Sequence, residues 1–137
     1  MANSVDAFLS AVEEGDKETV SSYIRRYPEK WKTAKGEFDG ETCLHLARDE
    51  EMARYLISAG ADKEACASFN NMTPFHSAAQ NGNREVMDVL IENGCNIHAE
   101  GNYGEALAYA SMHGHLGIVE RLIGLGLDVN HKSEGFR

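Results

Sequence analysis

Pairs of large apolar residues recur along the chain at a near-constant distance. They are Tyr23-Ile24, Leu56-Ile57, Leu90-Ile91 and Leu122-Ile123, separated by 33, 34 and 32 residues. Each of the last three pairs is followed at one offset by a glycine, Gly60, Gly94 or Gly126. Two residues beyond each glycine stands Asp62, Asn96 or Asp128, and Ala11, Ala47, Ala78 and Ala110 open the same pattern upstream. Self-similarity at a period of about 33 residues marks a repeat array, in which one unit cannot bury its apolar side alone and neighbours stack into a continuous core.

The unit over 68–99 shows the local chemistry most fully. Thr73 is a helix N-cap, and Pro74 takes the first helical position, where a missing N–H costs nothing. Small Ala78 and Ala79 on the buried face of this first helix let a second helix approach closely. Asn81-Gly82-Asn83 reads as the turn. A second helix is predicted from about Arg84 to Glu92, with Val86, Met87, Leu90 and Ile91 at helical spacing. Gly94 ends it in the left-handed conformation, and the polar stretch beyond connects to the next unit as an extended finger.

The segments Gly40-x-Thr42-Cys43-Leu44-His45-x-Ala47 and Thr73-Pro74-Phe75-His76-x-Ala78-Ala79-x-x-Gly82 resemble the ankyrin repeat, as do Gly60-Ala61-Asp62 and Gly126-Leu127-Asp128-Val129-Asn130. The resemblance covers nearly the whole chain. It implies an all-α repeat, an ankyrin-type α-solenoid of four stacked helix-turn-helix units with short β-hairpin fingers, forming one domain over 1–137. The units are expected at about 1–36 (an end cap), 37–67, 68–99 and 100–131, with 132–137 starting a further finger or forming a tail. It also implies a non-catalytic protein-protein interaction module and, in such repeats, a hydrogen bond between the finger Thr hydroxyl and the His imidazole.

The units depart from one another in ways that carry expectations. The first lacks the finger signature and gives its first helix a polar side through Asp6, Ser10, Glu13 and Glu14, as suits a unit facing water on one flank. In the second, Ala47 to Leu56 spans 9 residues where Ala78 to Leu90 spans 12, so a truncated first helix and local weakness are expected around Arg48-Asp49-Glu50-Glu51. Thr42 with His45, and Thr73 with His76, keep both members of the polar pair. The fourth unit has lost both, with Ala108 in place of the His. Its last helix is strongly apolar, and Asn130 to Gly135 resembles the start of a fifth finger. A longer array, or self-association through the C-terminal unit, is therefore expected.

Charge narrows the function. With 22 acidic and 13 basic residues the net charge is -9, which argues against a nucleic-acid partner, because phosphate contacts need clustered Lys and Arg. It favours a partner protein with a basic patch. No apolar run approaches the roughly 18 residues that would span a bilayer, so no membrane insertion is expected. The N-terminus lacks the basic start of a signal peptide. Three well-separated cysteines at 43, 66 and 95 read as reduced thiols of an intracellular protein, cytoplasmic or nuclear.

No phosphate loop, nucleophile elbow or HExxH run is present, so no catalytic residue and no cofactor is expected. His45 and His76 are better explained by buried hydrogen bonds than as ligands, and His113-Gly-His115 lacks the further donors of a metal site. The basic stretch from Arg25 to Lys35 reads as a solvated loop, with Trp31 shielding the edge of the core. Partner contact is expected at the finger tips. Phe38, Phe69 and Tyr103 fall at nearly equivalent positions there, and stacking would align them about 10 Å apart. Buried aromatics anchor many interfaces; packing of each ring on its neighbouring finger or on the helix below is the alternative. Asp39, Glu41, Asn70, Met72, Asn102 and Glu105 would complete that surface, and Gln80, Asn81, Met112 and His113 would extend it along the concave face of the first helices. The alternative function is that of an N-terminal regulatory domain of a larger enzyme or channel.

Overall fold

The computed structural model describes residues 4–37 and 39–127. Its helices come in pairs: α1 (Ser4–Glu14) with α2 (Lys17–Arg26), α3 (Cys43–Leu46) with α4 (Glu50–Ala59), α5 (Pro74–Asn81) with α6 (Arg84–Glu92), and α7 (Ala106–Met112) with α8 (Leu116–Gly124). Each second helix packs on its own first helix, and the first helices pack in a row, α1 on α3, α3 on α5 and α5 on α7. Consecutive hairpins therefore lie side by side and share one core. Met52, Leu56, Met87, Leu90 and Leu122 are fully buried in it.

Helix starts are set by short polar side chains. Asp16, Asp49 and Asn83 accept from the backbone N–H of Thr19, Met52 and Val86 at 3.3, 2.7 and 3.1 Å, satisfying donors that the first turn leaves open. The equivalent residue of the last pair, His115, bonds the Gln80 carbonyl at 2.8 Å instead. Asn83 makes a matching link with its Nδ2, donating to the Arg48 carbonyl at 2.8 Å. In the third and fourth units this one position thus ties the unit to the one before, at or just past the end of its first helix. The second helices are joined by ion pairs, Lys17 with Glu51, Arg54 with Glu92, and Arg121 with Asp88. These are exposed or half-exposed, worth little each, and fix alignment more than stability.

The fingers are tighter than β-hairpins with ladders. Among the described residues the sole bridge is the antiparallel pair Gly101 and Gly104. The finger before α5 is closed by Ala67 N–H to the Met72 carbonyl at 2.9 Å, and the one before α3 by Gly36 N–H to the Glu41 carbonyl at 2.9 Å. Four to six residues per finger leave room for a turn and one closing pair, too few for a strand.

The expected short first helix in the second pair is present: α3 has 4 residues where α5 has 8. Trp31, expected to shield the edge of the core, is part of that core. It is 1% exposed, sits on a 3-10 turn over Lys30–Thr33, and meets Phe8 edge-on at 6.4 Å while Phe8 stacks on Tyr23 at 4.5 Å. Its indole N–H donates to the Pro28 carbonyl at 3.0 Å. An otherwise basic loop thus supplies a core residue of the first unit.

Candidate functional site

Two kinds of feature are presented on the finger side, a rigid polar frame and the surface built on it. The frame is the pair of histidines. Thr42 N–H donates to His45 Nδ1 at 3.1 Å, with the Thr42 hydroxyl on the same nitrogen at 2.8 Å. Thr73 N–H does the same to His76 Nδ1 at 3.0 Å, with its hydroxyl at 3.2 Å. A backbone N–H only donates, so Nδ1 is the acceptor and the proton sits on Nε2. From there each ring donates into the next finger, His45 to the Met72 carbonyl at 2.6 Å and His76 to the Ala99 carbonyl at 2.9 Å. Burial holds both imidazoles below their ordinary value of 6.5. They are neutral struts between units.

The fourth unit, which lacks this pair, uses another device that the sequence reading missed. Tyr109 lies 4.9 Å from the His76 ring, and its hydroxyl accepts from Tyr103 N–H at 3.3 Å. A Cβ on Gly101 would sit 2.3 Å from that hydroxyl oxygen, so the finger needs glycine there. Glycine at 101 beside an aromatic at 109 was the available signal.

On this frame Phe69 is 70% and Tyr103 60% exposed. Tyr103 keeps an edge contact with Tyr109 at 6.0 Å. Phe38 lies outside the described residues. Asp39 and Asn102 are exposed, and Glu41 and Asn70 half-buried. Two expected contact residues belong beneath the surface. Met72 is 5% exposed, because its carbonyl receives His45 and its side chain turns inward. Glu105 is 8% exposed, with its carboxylate 3.0 Å from His98 Nδ1. At the C-terminal ends of the first helices, Asn81, Met112 and His113 are exposed and Gln80 half-buried. The His113 and His115 rings lie parallel at 6.4 Å, with His113 Nδ1 on the Tyr109 carbonyl and His115 Nε2 on the Gln80 carbonyl. Among the described residues no group of three or more His, Cys, Asp or Glu side chains gathers to hold a metal ion.

The shortened α3 leaves a notch of about 570 Å³ where its missing turn would lie. Leu44, Ala47, Pro74 and Val86 contribute apolar surface, Asn81 to Asn83 close one side, and Glu13, Asp39, Glu41 and Glu85 supply carboxylates. Burial first, then the negative charges of Asp39 and Glu13, raise the Glu41 carboxyl above its ordinary 4.5, with Arg48 opposing. A smaller adjoining hollow shares Glu13, Asp39 and Leu46 with it and adds Asp6 and Glu37.

A family model described as ankyrin repeats in three copies matches residues 8–101 and 49–133, across the stacked hairpins. The chain belongs to the ankyrin repeat family. Ankyrin repeats are protein-protein interaction modules, and the paired helices and capped fingers above are their architecture. Among curated relatives, NF-kappa-B inhibitor alpha of Homo sapiens is 39% identical over 100 residues, covering 66% of this chain and 31% of that protein. Protein fem-1 homolog A-like of Mus musculus is 33% identical over 87 residues, 61% of this chain and 13% of the relative. The E3 ubiquitin-protein ligase XBAT33 of Arabidopsis thaliana is 30% identical over 88 residues, 61% and 17%. The chain thus spans less than a third of the length of the relatives it matches. Among the described residues no helix is long and apolar enough to cross a membrane.

Proposed function

We propose that this ankyrin domain binds a partner protein through its finger tips and the C-terminal ends of its first helices, and carries no reaction of its own. The observation that carries this reading is the exposure of Phe69 and Tyr103 on successive fingers that are otherwise locked by buried hydrogen bonds. Rigid aromatic anchors lose little entropy on binding, so each is worth about 2 kcal/mol or more when a partner covers it. The name of one relative makes it an inhibitor of NF-kappa-B, which supports binding and inhibition of a protein as the kind of task performed. The net charge of -9 favours a partner with a basic patch and faster encounter at low salt. Free thiols at Cys43, Cys66 and Cys95 support a reducing, cytoplasmic or nuclear setting.

The test is affinity capture from native cytosol, followed by mass spectrometry and repeated with Phe69→Ser and Tyr103→Ser together. The variant should unfold at nearly the wild-type temperature and lose the partner. Recovery of the same partner at the same yield would remove the finger tips from the account. Leu116 and Ile123, both large, apolar and exposed at the last hairpin, favour a second reading, self-association through that end. Sedimentation velocity showing a monomer at all concentrations would contradict it.

A further inference from the structure

The notch lies beside α3, which has 4 residues where α5 of the next unit has 8. In α5 the helix runs on through Gln80 and Asn81 before its turn, whereas the chain after α3 is extended at Ala47 and goes straight into the Asp49 cap of α4. The hollow is held open from both sides. Asn83 of the following unit bonds the Arg48 carbonyl, and the Arg48 guanidinium lies 3.0 Å from Glu13 of the preceding one. Its lining is mainly polar, since Leu44, Ala47 and Val86 are nearly fully buried, and its volume exceeds that of any single side chain.

Charge decides what fits. Four carboxylates line the notch against one guanidinium, and that guanidinium is already spent on Glu13. Asp39, Glu41 and Glu85 stand in no ion pair among the described residues. Burial raises the Glu41 carboxyl first, and the neighbouring charges of Asp39 and Glu13 add to it. A positive head matches a polar hollow lined by carboxylates, and a partly enclosed pair is stronger than one in open water.

We propose that the notch receives an arginine or lysine side chain from an extended segment of the partner protein, with the positive head between Glu41 and Glu85. This inference rests on the protein-binding reading above and gives that surface its specificity pocket.

The probe is a short fluorescein-labelled peptide of alternating arginine and alanine, with a glutamate-alanine peptide as counterpart, read by anisotropy and by amide shifts of the full chain. The arginine peptide should bind and the glutamate peptide should not, with shifts concentrated at Ala47–Asp49 and Asn81–Asn83. Glu41→Gln with Glu85→Gln should weaken binding about ten-fold, while Glu18→Gln with Glu120→Gln, the same loss of charge elsewhere, should change it less than about two-fold. Equal weakening in both double variants, shifts spread over other elements, no binding of the arginine peptide, or notch shifts produced by calcium chloride alone would each overturn the proposal. If Phe69→Ser with Tyr103→Ser abolishes partner capture while Glu41→Gln with Glu85→Gln leaves capture and peptide binding unchanged, the notch is refuted and the finger-tip reading stands. If the peptide occupies the notch yet the Phe69 and Tyr103 variant still captures its partner, the finger-tip reading fails instead.

Discussion

Acidification tests the buried frame directly. His45 and His76 each accept a backbone N–H on Nδ1, and a protonated ring would place a second donor against it. Burial also removes the water that would solvate the cation, and both folded rings are held below the ordinary 6.5. Negative charge nearby, Asp39 for His45 and Glu105 and Glu64 for His76, offsets this only in part. The unfolded chain takes up a proton near 6.5 while the folded chain does not, so the unfolded state holds more protons. Stability is therefore full above about pH 6.5 and falls as pH drops from there to the folded values, below which the slope ends. Within that window each ring contributes at most about 1.4 kcal/mol per pH unit, and both together about 2.7. Relief of repulsion in this acidic chain acts in the opposite sense, so the difference between proteins is what matters. Urea unfolding followed by circular dichroism should be run from about pH 7.5 to about pH 5.5 on the wild type and on His76→Gln, which keeps an acceptor and a donor but does not titrate. The variant should have the shallower loss, by up to about 1.4 kcal/mol per pH unit. Identical slopes would refute the neutral-strut account of His76.

Three further outcomes follow from packing. Leu90→Ala empties a fully buried site on α6 and should cost about 2–5 kcal/mol; an unchanged thermal transition would sink the core assignment. Gly101→Ala drives a Cβ into the Tyr109 hydroxyl and should cost about 1–3 kcal/mol, with part recovered in a Tyr109→Phe background; strict additivity in that double-mutant cycle would contradict the contact. Native-state iodoacetamide should label Cys66 alone, since Cys43 and Cys95 are buried and their thiols are pushed up to about 12; rapid modification of all three would mean that the stack opens.

Much of this fold is legible in the sequence because its signals are local and repeated. Thr73 and Pro74 mark the start of α5 without reference to the rest of the chain, Gly82 and Asn83 mark the turn, and α6 runs from Arg84 to Glu92 as the spacing predicts. The shortened α3 is a matter of counting between Ala47 and Leu56. The site is less legible because it depends on contacts between units. Met72 and Glu105 occupy finger positions that composition alone places at the surface, yet one is drawn inward beside the His45 hydrogen bond and the other faces His98. Trp31 hides in a run of cations whose charges stay in solvent while the indole turns into the core. Tyr109 steadies the finger of its own unit from a helical position other than that of the histidines, so an alignment of single residues between units does not reveal it. The notch is a missing turn, and what remains around it is set by the two units that flank the gap.

The most direct measurement is hydrogen–deuterium exchange of the chain alone and in complex with its captured partner. Slowed exchange in the fingers at 67–72 and 101–104, and at the ends of α3, α5 and α7, is the expected result. Protection confined to α2, α4, α6 and α8, with the fingers exchanging as in the free chain, would contradict the account.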